Sequence, residues 1–195
     1  MISNPLGVPY SKYESVFKHL ASFGFVAVGN DGIGGEDKNL PNIIDELSAL
    51  NGNHATFKNK LNLNEMGVIG YYQGSSSVIS LLNNFPYNNL IAASYVSCLK
   101  DYNSDKEELL NKVKNISSPI FLSGPGKGSD YDGIMKEIAE ILKDKIEFHS
   151  LLRRNKEEGK MIIYGDAYMT AWFDYKLKRN ENGTNIFKKY DGEIY

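Results

Sequence analysis

The sequence predicts an α/β protein, a three-layer α/β/α sandwich built on a mostly parallel sheet. Two observations lead there. Short apolar runs recur along the chain, each followed by a stretch with helical periodicity. Those runs are too uniformly apolar to leave one face in water, which fits strands covered by helices on both sides. The 195 residues show no internal repeat and no linker, and they suffice for one core, so 1–195 reads as a single domain.

The elements follow in order. Ser11 to Phe23 reads as a helix: Ser11 and Glu14 have capping-box spacing, and Tyr13, Val16, Phe17 and Leu20 share a face. Gly24 ends it, and Phe25-Val26-Ala27-Val28 reads as a short strand. Gly29 to Asn39, rich in Gly, Asp and Asn, reads as a loop. A second helix begins near Pro41 and buries Ile43, Ile44, Leu47 and Leu50. Met66 to Gly70 is a strand that turns sharply into a helix over Ser75 to Leu82.

The alternation then repeats. Leu90 to Val96 is a buried strand, and Ser104 with Glu107 opens a helix to about Lys114 carrying Leu109, Leu110 and Val113. Pro119 to Ser123 is a strand entering the loop Gly124-Pro125-Gly126-Lys127-Gly128. Asp132 to Leu142 is a helix with Ile134, Ile138 and Leu142 on one side, and Ile146 to Leu152 is the last strand. A final helix over Asp166 to Lys178 carries Tyr168, Met169, Trp172 and Phe173.

Composition removes several function classes. The net charge is −2 with both signs mixed, so no general attraction to nucleic acid or anionic membrane is expected. Arg153-Arg154 and the run Lys176 to Arg179 read as solvated faces. A lone Cys98 leaves no internal disulfide framework and no Cys-rich zinc site. No run of about 18 apolar residues suggests a membrane span. The opening MISNPLGVPY lacks a basic start and an apolar core, so no signal peptide is read and a cytoplasmic location is expected. A secreted origin stays open if that end is incomplete.

Asn115-Ile116-Ser117 and Asn182-Gly183-Thr184 match the glycosylation pattern, which matters only in a secreted chain. The loop Gly124 to Gly128 contains a lysine, yet it lacks the spacing of a phosphate loop and its proline removes a donor. Asp101, Asp105 and Glu107 are too loosely spaced for a metal site. No metal and no cofactor are therefore expected.

The informative segment is Gly70-Tyr71-Tyr72-Gln73-Gly74. A G-x-S-x-G sequence between a strand and a helix forms a nucleophile elbow, its central residue held at a strained backbone position. Both elbow glycines, Gly70 and Gly74, are present here, but the central residue is Tyr72. An ordinary strand-turn-helix remains an alternative on this feature alone.

A wider pattern adds to it. Tyr13, Leu20-Ala21-Ser22 and Gly24-Phe25-Val26 resemble the Y-x-x-x-x-x-H-L-A-S-x-G-F-x-V segment of bacterial and fungal α/β-hydrolases, in particular the cutinase-like, polyester-hydrolase-like and dienelactone-hydrolase-like group. Leu61 to Asn64 with Gly67 to Ser75 resembles their L-D-x-x-x-x-G-V-x-G-H-S-Q-G-G. Pro119 to Gly124 resembles the strand before the acid-bearing loop, and Tyr168 to Leu177 the helix after the catalytic histidine. The resemblance covers nearly the whole chain and implies an α/β-hydrolase fold.

It also implies a degenerate triad. Tyr72 stands where serine belongs; a phenol with a pKa of about 10 is largely neutral at pH 7. It is also longer than a serine side chain, so its oxygen overshoots the acyl carbon. Ser75, Ser76 and Ser77 lie on the following helix, with Ser75 the weak alternative nucleophile. The histidine position falls near Lys156, and none of His19, His54 or His149 matches it. The acid position falls at Lys127, with Asp130 and Asp132 as neighbouring substitutes, Asp132 also reading as a helix-start residue.

Gln73 N–H is the candidate oxyanion donor, with a second from the region Asn4 to Val8. Tyr71, Tyr72 and Trp172 are pocket candidates, although core packing explains Trp172 more simply. The resemblance further implies that the N-terminal strands are missing, including a central one between Phe25–Val28 and Gly67–Gly70. Such a gap exposes a strand edge to a second copy or a partner chain. The expectation is a catalytically degenerate hydrolase-like protein binding a small molecule or partner; a residual carboxylic-ester hydrolase and a structural or assembly protein are the alternatives.

Overall fold

The structure, a computed structural model, describes residues 1–5, 7–29, 39–84, 91–97, 106–125, 131–144, 148–153 and 161–183. The strands are β1 (Ile2–Ser3), β2 (Met66–Tyr71), β3 (Ile91–Ser97), β4 (Ile120–Pro125) and β5 (Phe148–Arg153). They form one five-stranded sheet in the order β1-β2-β3-β4-β5, and every pair is parallel. The helices are α1 (Glu14–Ser22), α2 (Asn39–Asn53), α3 (Gln73–Asn84), α4 (Lys106–Lys114), α5 (Tyr131–Leu142) and α6 (Met161–Lys178).

Alternation along the strands sorts the helices into two layers. On one face Met66 and Val68 of β2, Val96 of β3, and Ile120 and Leu122 of β4 pack against α2, α3, α4 and α5 through Leu40, Ile44, Val78, Leu82, Val113 and Ile138. On the other face Ile69, Tyr71 and Phe121 pack against α1 and α6 through Val16, Leu20, Met169, Trp172 and Phe173. The result is a small parallel sheet with helices on both sides, an arrangement of the reduced α/β-hydrolase type. Trp172 is fully buried, and its indole N–H donates to the Ser94 carbonyl at 3.0 Å, fixing α6 across β3.

Three sequence expectations are corrected. The gap between Phe25–Val28 and β2 is not vacant at the level of Ile2 and Ser3, because the first residues of the chain fill it as β1. Ile2 pairs with Ile69, Ser3 pairs with Gly70, and Ile2 bridges to Gly29 on its other side. Hydrogen bonds run both ways at 2.8 Å: Ile2 N–H donates to Val28 O, and Ile69 N–H donates to Met1 O. A strand this short offers a single apolar side chain, Ile2, to one core, which is too little for a periodicity reading to register. No partner chain is needed at that level to join the two halves of the sheet.

The Ser11–Glu14 capping box does not form. Ser11 lies in a 3-10 turn over Tyr10–Tyr13, and α1 starts at Glu14 with no side-chain cap. Pro9, extended at ψ 151°, starts that turn. Phe25 to Val28 is not a strand either: among the described residues this segment meets the sheet through Val28 and Gly29. Gly24, at φ +79°, turns the chain out of α1 as expected.

Other boundaries shift modestly. β2 and β4 extend to Tyr71 and Pro125, α3 begins at Gln73, and α6 begins at Met161. The start of the helix read at Ser104 and most of the loops at Gly29–Asn39 and Gly124–Gly128 lie outside the described residues. No helix among the described residues is long and apolar enough to cross a membrane.

Candidate functional site

In a parallel α/β sheet, the loops at the carboxyl ends of the strands carry ligand sites. Here β2 ends at Tyr71 and α3 begins at Gln73, so the whole turn is the single residue Tyr72. Its φ is +51°, a left-handed conformation that costs a non-glycine residue about 1–2 kcal/mol. The two glycines make the turn sterically feasible. A Cβ on Gly70 would lie 2.6 Å from the Gly74 carbonyl oxygen and from Ser75 Cα. One on Gly74 would lie 2.2 Å from the Ser3 carbonyl oxygen. The strand, the helix and β1 therefore touch backbone to backbone.

Tyr72 is half-buried and packs against the cluster formed by α1, α6 and the sheet. Tyr71 points into that cluster, buried and stacked on Tyr13 with centroids 5.3 Å apart, and its hydroxyl donates to Met169 Sδ at 3.5 Å. Burial pushes the Tyr13 phenol up to about 12, so Tyr13 is neutral at ordinary pH. Trp172 lies in the same cluster, fully buried. Of the three aromatic pocket candidates, Tyr72 is the one with partial exposure.

The serines that follow point elsewhere. Ser75 is fully buried; its hydroxyl donates to the Gly70 carbonyl at 2.9 Å and its N–H donates to the Tyr72 carbonyl at 2.9 Å. It stitches the first turn of α3 back onto β2. Ser77 is buried within α3, and the Ser76 hydroxyl is buried with no hydrogen-bond partner among the described residues. Gln73 opens α3, so its N–H belongs to the first turn, whose donors have no partner within the helix.

The three histidines lie on three separate parts of the fold. His149 is on β5, in the row that runs through Phe121 and Tyr95 to Ile69. That places its Cα three strands from β2, about 14 Å at ordinary strand spacing, and two residues below Tyr71. His19 lies in the last turn of α1 against Phe23, with ring centroids 5.1 Å apart. His54 follows α2 on the polar stretch leading into β2, exposed and accepting the Thr56 N–H at 3.2 Å. Asp132 is the second residue of α5, while Asp130, Lys127 and Lys156 lie outside the described residues. Among the described residues no nucleophile, base and acid come together, and no cluster of His, Cys, Asp and Glu could hold a metal.

One residue stands out beyond those singled out in the sequence. Asn4, directly after β1, is buried, and its Oδ1 has no partner among the described residues although its amide group donates to Val8 O at 3.3 Å. Its backbone carbonyl lies against Gly74, 2.9 Å from where a Cβ would be, so Asn4 sits beside the first turn of α3. The signal available in the sequence was the turn-forming pair Asn4-Pro5 within the region matched to a second oxyanion donor. A separate cavity of about 60 Å³ opens near the start of β1, lined by Met1, Phe25, Ala27, Gly67 and Phe173 among others. Met1 reaches into it with its α-amine donating to Gly67 O at 2.8 Å, and burial pulls that amine down to about 5.

No protein-family model matches this chain, and no curated protein matches it. Among solved structures, the crystal structure of the Bacillus cereus carboxylesterase is similar, with 14% sequence identity and a TM-score of 0.47 over 90% of this chain and 86% of that chain.

Proposed function

We propose that this chain is a catalytically degenerate α/β-hydrolase-like protein. It keeps the backbone of a nucleophile elbow and uses the carboxyl edge of its sheet to bind a small polar molecule. The observation that carries this reading is Tyr72 at φ +51° in a one-residue turn closed by Gly70 and Gly74. Strain of this kind persists where the surrounding structure enforces it, and it concentrates at functional sites. The turn opens α3 with the Gln73 N–H, and Asn4 beside it supplies a buried acceptor without a partner among the described residues. A ligand with both a hydrogen-bond acceptor and a donor suits that pair.

Acyl transfer is a poor match to the same site. Ser75 spends its hydroxyl on Gly70 O, and His149 lies about 14 Å away along the sheet. A hydroxyl that donates its proton to a backbone carbonyl is not donating it to a base, which is the activation that covalent catalysis needs. The test is hydrolysis of short aryl esters by the native chain and by Tyr72→Ser. Both are expected to match the rate of buffer with bovine albumin. Saturable turnover in the native chain that is lost in Ser75→Ala would overturn the proposal in favour of a residual esterase.

A further inference from the structure

The sequence contains two Asn-Gly pairs within the described residues, Asn51-Gly52 and Asn182-Gly183, and the structure treats them in opposite ways. We propose that Asn182 is a site of spontaneous backbone-assisted deamidation in the folded protein, and that Asn51 is shielded from the same reaction. The chemistry needs no enzyme. The backbone nitrogen of the following residue attacks the side-chain amide carbon, a C–N bond forms and ammonia leaves, giving a five-membered succinimide. Water then opens the ring at either carbonyl, leaving aspartate or isoaspartate. The peptide nitrogen gives up its proton as it attacks and regains one when the ring opens. A following glycine favours the reaction because it has no Cβ to hinder the approach and gives its backbone the widest freedom.

Asn51 is held against this path by three constraints. It lies inside the 15-residue helix α2. Its Oδ1 accepts the Leu61 N–H at 3.0 Å, and its backbone carbonyl accepts the Asn59 N–H at 2.8 Å. Folding the side chain onto Gly52 N would break the Leu61 bond and require the helix to open. Asn182 has none of these ties. It is exposed in a 3-10 turn of three residues, Glu181–Gly183, and among the described residues its side-chain amide makes no hydrogen bond. Among the described residues its engaged group is the backbone N–H, which donates to Asn180 Oδ1 at 3.2 Å. Single 3-10 turns have weak hydrogen-bond geometry and open at little cost, whereas a helix joined to the core opens rarely.

The turn is nevertheless well placed for the change to register. Asn180 upstream caps α6, its side chain donating to Asp174 Oδ2 at 2.5 Å and its N–H to Asp174 O at 3.3 Å. Arg179, in the left-handed region at φ +57°, reaches Glu65 at 2.6 Å. Conversion of Asn182 adds a negative charge next to Glu181 and, in the isoaspartyl form, an extra backbone carbon two residues beyond that cap.

The experiment is peptide mapping by tandem mass spectrometry after storage of the full chain at mildly alkaline pH and physiological temperature. A parallel sample is kept unfolded in urea. The expected result is conversion at Asn182 at least about tenfold faster than at Asn51 in the folded chain, with the two sites converging in urea. The folded chain should also gain an acidic ion-exchange species that Asn182→Gln does not form. Equal conversion at both sites in the folded chain would overturn the proposal, as would an Asn182 that stays intact when folded and converts only in urea.

Discussion

Replacing Gly74 by alanine tests whether β1 is locked onto the Tyr72 turn. The added Cβ would sit 2.2 Å from the Ser3 carbonyl oxygen and 2.9 Å from that of Asn4, where ordinary contact begins near 3.4 Å. Relief demands a movement of more than an ångström, and the obstacles are backbone atoms that cannot rotate away. Forced overpacking of this sort costs about 1–3 kcal/mol. Pushing β1 outward also strains its 2.8 Å bonds from Ile2 N–H to Val28 O and from Ile69 N–H to Met1 O, each worth about 1 kcal/mol. The combined loss is about 3–5 kcal/mol, a large share of the roughly 5–15 kcal/mol that holds a domain folded. At about 2–4 °C per kcal/mol for a domain of this size, the melting temperature should fall by roughly 10 °C.

Urea unfolding followed by the fluorescence of Trp172, the sole tryptophan, reads the loss as a lower midpoint with an unchanged slope. Gly52→Ala is the internal control. Its added Cβ meets nothing within 4 Å at the end of α2, so the higher helix propensity of alanine should stabilise by about 0.5–1 kcal/mol. A Gly74→Ala chain within about 1 kcal/mol of the parent would refute the backbone-contact reasoning.

Two further outcomes follow from the same geometry. At Tyr72 the left-handed backbone reverses the usual order of small residues, so Tyr72→Gly should be more stable than Tyr72→Ala by about 1 kcal/mol in urea midpoints; the opposite order would mean the turn is not strained. The buried Met1 amine, pulled from 8.0 to about 5, makes stability depend on pH in the 195-residue chain with a free amine. Between those values the unfolded chain binds a proton that the folded chain does not, so stability rises from pH 5 to 8 and is complete above about pH 8. The rise is bounded at about 4 kcal/mol, and acetylation of the amine should remove it; an acetylated chain with the same pH slope would assign the effect to other groups.

Legibility from the sequence divided along physical lines. Elements with several apolar residues at a regular period were readable: α2 with Ile43, Ile44 and Leu47, α5 with Ile138 and Leu142, and the buried runs of β2 and β4. Layer assignment followed, because strands buried on both faces require helices on both. Elements shaped by tertiary contacts were not readable. Two residues, Ile2 and Ser3, become a strand only because Val28 and Ile69 offer partners on either side, and no local pattern encodes that. Ser11 and Glu14 carry capping-box spacing, but Pro9 starts a 3-10 turn that uses up Ser11 before α1 begins.

The site divides in the same way. The glycine spacing around Tyr72 was visible, and its steric reason, the approach of Ser3 O to Gly74, emerged only in three dimensions. The buried Asn4 acceptor was reachable only as part of a loop matched to a donor region. Its lack of a partner among the described residues depends on how β1, Val8 and α3 surround it.

The central claim, an elbow without a nucleophile, is tested most directly by intact-mass spectrometry after exposure of the native chain to an excess of a serine-directed fluorophosphonate. An unmodified mass is expected, because the Ser75 hydroxyl is buried and donates to Gly70 O, and the Cα of His149 stands three strands away from β2. Stoichiometric addition mapped to Ser75 or Tyr72 would contradict it.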